Sequence, residues 1–228
     1  MEWLWENREM VMGLLIQHVG LSVVPIIASL LVSVPLARIA RRYRSLRGVL
    51  LGAFGLLFTI PSLALFVTLP AFLGTKILDP LNVVVALTIY GVAIMVRGTA
   101  DAFDSVPNDV LDSASAVGYS PGSRFWRVEL PLAGPVILAN LRVVSVTTVS
   151  LLSVGALIGN GGLGYLFTNG YQRAFPTEII IGVVLTLLIA LIFDQILLAI
   201  GRIMMPWDRN TRSPESSIQS DRFAEAAQ

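Results

Sequence analysis

Few side chains in this sequence could do chemistry, and their types and spacing leave little room for catalysis. The chain has no cysteine and a single histidine, His18, which rules out thiolate chemistry and a multi-histidine metal site. The glycines between Gly155 and Gly164 lack the Lys-Ser/Thr pair of a phosphate-binding loop. We therefore expect no catalytic residue, no metal and no cofactor. His18 is expected to be a structural or interfacial residue rather than a proton relay.

Two charged residues, Arg142 and Asp194, stand inside long apolar stretches. A lone charge at that position costs about 2–3 kcal/mol on membrane-insertion scales. Counted along each helix from its predicted cytoplasmic end, the two residues differ in membrane depth by only about 6 Å, at a rise of 1.5 Å per residue. The spacing predicts a direct or water-bridged ion pair that holds the last two stretches together. The alternative is that Arg142 reaches the membrane surface and Asp194 meets water or backbone donors.

Local signals in residues 106–131 predict two short helices joined at a glycine. Pro107 and Asn108 suit a helix start, and Gly118 suits the left-handed position that ends a helix. Ser120 followed by Pro121 is typical of an N-cap with proline in the first turn. Residues 110, 111, 114, 117 and 118 share one helical face. Such order in a polar loop indicates that the loop packs on a partner.

The elements that must position these residues are membrane-spanning helices. The sequence is 55% hydrophobic and 14% charged, against about 25% charged in a typical soluble domain. The apolar residues gather into stretches long enough to cross a bilayer. We predict an all-α membrane protein with about five transmembrane helices. Their expected bounds are 12–37, 49–72, 81–97, 136–158 and 177–204.

The distribution of basic residues predicts the orientation, because Lys and Arg concentrate on the cytoplasmic side of membrane proteins. With the N-terminus outside and the C-terminus inside, the outer side holds Arg8, Lys76 and Arg173. The cytoplasmic side then holds Arg38, Arg41, Arg42, Arg44, Arg47, Arg97, Arg124, Arg127, Arg202, Arg209, Arg212 and Arg222. We interpret the arginines of 38–47 mainly as topology determinants beside anionic lipid, and the aspartates at 101, 104, 109 and 112 as a solvated loop face.

The predicted organisation is a single domain with short flanks. Residues 1–11 form an extracellular N-terminus, and residues 12–207 form one transmembrane domain whose cytoplasmic loop covers 98–135. Residues 208–228 are rich in Ser, Glu, Gln and Asp. Such a segment buries too little apolar surface to fold, so we expect a disordered cytoplasmic tail.

The loop also resembles the signature of permease subunits of ATP-binding-cassette (ABC) importers. That signature is Glu-Ala-Ala, three residues, Gly, nine residues, Ile, one residue, Leu-Pro. The sequence has Asp112-Ser113-Ala114, Gly118, Val128 and Leu130-Pro131 at the same spacing, with Asp, Ser and Val as conservative departures. The resemblance implies a coupling helix that contacts a separate ATPase. The residues it implicates are Asp112, Ser113, Ala114, Gly118, Tyr119, Ser120, Val128, Leu130 and Pro131.

Two further segments, Ile60–Leu65 and Gly155–Gly164, are similar to the osmoprotectant branch of this type I importer family. That branch carries glycine betaine, carnitine and choline. The resemblance implies a multi-pass permease in the cell membrane that is a transport subunit rather than an enzyme. Its implied partners are ATPase subunits, a second permease copy or a homologue, an extracellular solute-binding protein and membrane lipid. No nucleic-acid partner is expected.

Other functions remain open at this point. Permeases of methionine or other amino-acid importers share the size and the loop. A secondary transporter working without ATP is less favoured, because such carriers usually keep inverted repeats and several intramembrane ionisable residues. A membrane-embedded enzyme has no catalytic constellation to support it.

Overall fold

The computed structural model describes residues 2–159 and 161–207, and within these ranges every regular element is helical. The elements in chain order are α1 (Glu2–Glu6), α2 (Arg8–Arg42), α3 (Arg44–Thr59), α4 (Ser62–Leu73), α5 (Pro80–Asp104), α6 (Asn108–Ala116), α7 (Pro121–Arg124), a π-helical turn (Phe125–Glu129), α8 (Leu130–Val154), a 3₁₀ turn (Gly155–Ile158), α9 (Gly164–Gln172) and α10 (Pro176–Met204). The all-α prediction is confirmed.

The described residues contain four helices long and apolar enough to cross a membrane, or five if one bent pair counts as a single span. The bent pair is α3 and α4, whose axes differ by 105°. Ile60 has an extended backbone before Pro61, because proline disfavours the helical region for the residue that precedes it. The Tyr90 hydroxyl donates a hydrogen bond to the freed Ile60 carbonyl. The stretch predicted at 49–72 is therefore a broken helix.

α5 lies at the centre of the bundle and packs against α2, α3, α4 and α8. Its small residues Ala86, Ala93, Ala100 and Ala102 are buried, so neighbouring helices can come close on several sides. α10 packs on α8 and α9. Its most apolar 18-residue stretch is less buried than the corresponding stretch of the other three long helices. The bundle thus has one enclosed helix and an outer helix that is covered mainly on one side.

Several predicted bounds are wrong by a few residues to a few turns. The prediction 81–97 is too short, because α5 continues to Asp104. The prediction 136–158 starts too late, since helical structure runs from Pro121 to Ile158. The segment between α5 and α7 is 105–120, so the cytoplasmic loop predicted at 98–135 would also include the end of α5 and the start of α8, and its bounds stay a prediction. α1 and the start of α2 occupy the predicted N-terminal flank, and the predicted tail at 208–228 lies outside the described residues.

Candidate coupling site

The turn after α6 has the geometry that its sequence predicts. Gly118 has φ +99°, a region that L side chains rarely adopt. Its N–H donates to the Ser115 carbonyl at 3.0 Å, and the Tyr119 N–H donates to the Ala114 carbonyl at 3.1 Å. These two bonds form a Schellman motif, in which a left-handed residue satisfies the last carbonyls of a helix. The predicted glycine stop at Gly118 is confirmed.

The second short helix is capped and tied back to the first. The Ser120 side chain accepts a hydrogen bond from the Ser123 N–H at 3.4 Å, with Pro121 in the first turn. Arg124 Nη1 donates to Ser115 Oγ at 2.7 Å, which joins α7 to α6. We define the coupling tip as residues 117–120. The capping and the side-chain bond together hold the tip in one conformation.

Apolar side chains of the coupling tip point outward. Val117 is 81% exposed and Tyr119 is exposed, whereas Leu111, nearly two turns earlier, is buried in the bundle. The prediction that residues 110, 111, 114, 117 and 118 share one face holds only within α6. The helix ends at Ala116, so Val117 and Gly118 leave that face. An ordered tip with exposed apolar groups is suited to docking on another protein.

The later residues of the signature lie below the tip rather than in it. Val128 belongs to the π-helical turn, and Leu130 and Pro131 begin α8. Val128 and Leu130 pack against the buried cluster of α2, α5 and α8. Pro131 lacks an N–H and its ring clashes with the carbonyl four residues back, which accounts for a widened turn at this point. The structure thus separates an exposed tip from the partly buried residues Val128, Leu130 and Pro131 in the π-helical turn and at the start of α8.

Charged residues behind the loop form a cluster that sequence reasoning missed. Arg41 donates a hydrogen bond to Glu129 and lies 3.8 Å from Asp104. Arg47 lies 2.5 Å from Asp104 and 3.6 Å from Asp101. Asp101 and Asp104 are exposed, as expected of a solvated face, but they lie on α5 rather than in a loop and they pair with arginines. We call these five residues the ionic bracket.

The ionic bracket connects four parts of the chain. Arg41 lies in the last turn of α2 and Arg47 in the first turn of α3, Asp101 and Asp104 lie near the end of α5, and Glu129 belongs to the π-helical turn. Most of these side chains are partly exposed, so each pair contributes at most about 1 kcal/mol. The arrangement fixes the loop's position relative to α2 and α5 more than it adds stability.

Arg142 and Asp194 lie together between α8 and α10. Arg142 Nε is 2.6 Å from Asp194 Oδ1, and Arg142 Nη2 is 2.9 Å from Asp194 Oδ2. This is the bidentate geometry in which a guanidinium binds a carboxylate most strongly. About a third of the Arg142 side chain and a fifth of the Asp194 side chain remain exposed in the single chain. Their role in holding the two helices together stays a prediction.

His18 is a structural residue at the opposite end of the bundle. It is fully buried on α2. Its Nε2 lies 3.1 Å from the Val149 carbonyl, and its Nδ1 accepts a hydrogen bond from the Leu163 N–H at 3.1 Å. Gln17 Oε1 accepts a further bond from the Gly162 N–H at 3.0 Å. These bonds hold the glycine-rich turn against α2.

Glu178 is a buried carboxylate that no sequence pattern singles out. It lies in the first turn of α10, where the helix dipole favours a negative charge. Asn169 Nδ2 donates to Glu178 Oε1 at 2.7 Å, and Arg173 Nη1 lies 3.8 Å from Oε2. These contacts join α9 to α10. A glutamate at the end of an apolar stretch is common at membrane boundaries, so its position alone carries no signal of this contact.

With this geometry established, comparison with known proteins gives the family. The family described as "Binding-protein-dependent transport system inner membrane component" matches residues 29–207. The chain belongs to this family. The resemblance inferred from the loop is confirmed, and the chain is a multi-pass membrane permease subunit of an ABC importer. It is a transport subunit and not an enzyme, since the ATPase of such systems is a separate partner.

Relatives of this permease cover nearly its whole length. It is 31% identical to the osmoprotectant import permease protein OsmW of Salmonella typhimurium, over 90% of this chain and 96% of that protein. It is also 31% identical to the choline transport system permease protein OpuBB of Bacillus subtilis, over 83% and 86% respectively. An ergothioneine transport permease/binding protein of Helicobacter pylori is 35% identical over 65% of this chain and 26% of that protein.

Solved structures share the permease fold. An inward-facing structure of the MetNI methionine ABC transporter matches with a TM-score of 0.69 and 21% identity, over 84% of this chain and 98% of that one. An amino acid ABC transporter with histidines matches with a TM-score of 0.71 and 16% identity, over 87% and 96% respectively. At these identities the likeness establishes the fold and leaves the solute open.

Proposed function

We propose that this permease carries a small trimethylammonium solute of the osmoprotectant class, and that residues 117–120 couple it to the ATPase. The relatives at about 31% identity are named for osmoprotectant, choline, glycine betaine and carnitine transport. Choline, glycine betaine, carnitine and ergothioneine all contain a trimethylammonium group. That group is the chemical feature the named solutes share.

The observation that carries the coupling role is the ordered, outward-facing tip. A docking element must present apolar surface without losing conformational entropy when it binds. Val117 and Tyr119 supply the surface, and the Schellman motif at Gly118 supplies the order. Gly118 and Tyr119 also lie within the segment that the family resemblance assigns to ATPase contact.

A continuous path leads from the tip into the membrane. Helical structure runs from Pro121 through the π-helical turn to Ile158, so a displacement of the tip moves α8 directly. The ionic bracket links the π-helical turn to α2 through Glu129 and Arg41, and Arg41 in turn contacts Asp104 on α5. ATP binding shifts the permease between its two states only as far as the ATPase binds their tips with different affinity. If ATP binding draws the coupling tips of the two permeases together, the ATPase subunits would bind the two states with that difference in affinity.

The proposed assembly contains two permeases, two ATPase subunits and an extracellular solute-binding protein. The second permease is another copy or a homologue. The orientation has the N-terminus outside and the coupling tip in the cytoplasm, as the arginine distribution indicates. The solute path would then lie between the two permeases.

Uptake of labelled solutes tests the substrate class. Cells lacking their own osmoprotectant carriers would express the permease with its ATPase and binding protein. We expect ATP-dependent uptake of at least one of choline, glycine betaine, carnitine and ergothioneine, and competition from the others. Uptake of methionine or histidine with none of these four would refute the substrate proposal and favour the amino-acid alternative.

A further inference from the structure

An apolar groove of about 830 Å³ opens between α2, α8 and α10. Its lining comes from residues 26–38 of α2, residues 125–141 of the π-helical turn and α8, and residues 197–207 at the end of α10. Leu31 and Met204 are each 67% exposed along it. The floor is closed, because α8 and α10 approach so tightly that a Cβ on Gly201 would lie 2.2 Å from Leu138 Cδ2. No residue assigned above to coupling, apart from Leu130 and Pro131, borders the groove.

The groove has the length of one bilayer leaflet. Residues 26–38 of α2 extend about 18 Å along the helix axis at 1.5 Å per residue. Half of the hydrocarbon core of a bilayer is about 15 Å thick. An acyl chain that enters at one membrane surface therefore reaches the inner end of the groove near the bilayer centre.

The two ends of the groove differ in chemistry. Arg38 lies at the end nearest the coupling loop, with its guanidinium carbon 3.9 Å from the centre of the Phe125 ring. Trp126 and Trp207, both exposed, line the same end. Tryptophan is enriched where membrane proteins meet the headgroup layer. From there the lining becomes aliphatic along Leu31 and Ile27.

We propose that this groove binds an anionic phospholipid of the cytoplasmic leaflet, with its acyl chain between α2, α8 and α10 and its headgroup at Arg38. The positive charge at the tryptophan-lined mouth selects an anionic headgroup, and the aliphatic lining solvates the chain. Residues 208–228 of the same polypeptide are mostly polar, which makes them a poor filler for an apolar groove. A lipid here would hold α10, whose outer face is otherwise little covered, against α2.

Photocrosslinking in vesicles tests this directly. The full-length permease, purified with the subunits that accompany it, is reconstituted in vesicles of equal parts phosphatidylglycerol and phosphatidylcholine. One of the two lipids carries a photoreactive group near the end of its acyl chain. We expect the phosphatidylglycerol probe to label peptides of 26–38, 125–141 and 197–207 preferentially, and the phosphatidylcholine probe to label them about fivefold less.

Matched variants separate the two parts of the site. Leu31→Trp should fill the groove and abolish labelling, whereas Leu187→Trp, at a similarly exposed leucine of α10 outside the groove, should not. Arg38→Gln should remove the preference for phosphatidylglycerol, and Arg42→Gln, one turn further on and outside the lining, should keep it.

Two outcomes would overturn the proposal. One is equal labelling by both probes or even labelling of all exposed helix faces, which the wild-type protein alone can show. The other is a disulfide between two Leu31→Cys chains in the membrane, which would assign the groove to a second permease copy. The inference uses the proposed orientation but not the proposed solute, so failed uptake of trimethylammonium compounds leaves the labelling result interpretable.

Discussion

Substitution of Arg142 and Asp194 is the most direct test of the contacts between the transmembrane helices. Replacing Arg142 with Met leaves a carboxylate without its bidentate partner, and replacing Asp194 with Leu leaves a guanidinium alone. An unpaired charge at the centre of a transmembrane helix costs about 2.5–3.5 kcal/mol on insertion scales. About a third of Arg142 is exposed, so part of that cost can be relieved by water or headgroups. We expect each single variant to lose about 2 kcal/mol.

The double variant should be less damaged than either single variant. Met and Leu are apolar and fill a volume similar to that of the pair, and well-packed apolar replacements of ion pairs are often neutral. The expected coupling energy is therefore about 2–3 kcal/mol, at the upper end of the range seen for residues in contact. The assay is a double-mutant cycle scored by the midpoint of thermal unfolding in detergent, by folded yield and by uptake.

A control variant keeps the charges and changes the geometry. Arg142→Lys retains a positive charge but cannot make two parallel bonds to a carboxylate, so it should fall between the wild type and Arg142→Met. Strictly additive losses in the Met and Leu variants would show that the two residues do not interact, and the assignment of the pair would be wrong.

Four other expectations follow from the structure. Because the chain has no native cysteine, single cysteines at the exposed Lys76 and Arg127 should react with an impermeant reagent from opposite sides of intact cells, and reaction on the same side would refute the orientation. Gly118→Val should strongly reduce uptake and ATPase stimulation, since positive φ costs about 1–2 kcal/mol or more for a β-branched residue. The control is Gly122→Val, where a Cβ also meets open space, and equal activity of the two variants would contradict a role for Gly118. His18→Phe should lower the unfolding midpoint, because it leaves the buried Leu163 N–H without its acceptor at a cost of about 1–3 kcal/mol. An unchanged midpoint would show that the His18 hydrogen bonds are not a structural contact. Glu178→Leu should be less stable than Glu178→Gln, whose amide oxygen can still accept from Asn169, and equal thermal stability would rule out that hydrogen bond as a structural contact.

Features encoded by local signals could be predicted from the sequence. The helix stop at Gly118 and the cap at Ser120 depend on residues within a few positions, and each residue type has a distinct backbone or hydrogen-bonding preference. The long apolar stretches likewise specify spans by composition. Arg142 and Asp194 could be paired because charges inside apolar stretches are few enough to compare by depth.

Features that depend on tertiary neighbours could not be predicted from the sequence in the same way. The pairing of Asp101 and Asp104 with Arg47 could not be predicted, since no local signal shows that α5 continues to Asp104 and meets α3. The hydrogen bonds of His18 join residues more than a hundred positions apart. The break at Pro61 had a visible signal, because a proline in the middle of an apolar stretch can end a helix, but its 105° angle depends on packing against α5 and α8.

The central claim is that the tip at residues 117–120 contacts the ATPase during transport. A photoreactive amino acid placed at Val117, in a permease that still takes up solute, tests this contact in intact membranes. The matched control is Val49 on α3, which is also strongly exposed but lies outside the tip. We predict an adduct between position 117 and the ATPase subunit, with none from position 49. A transport-competent permease that forms no adduct at position 117, or equal adducts at both positions, would contradict the coupling role.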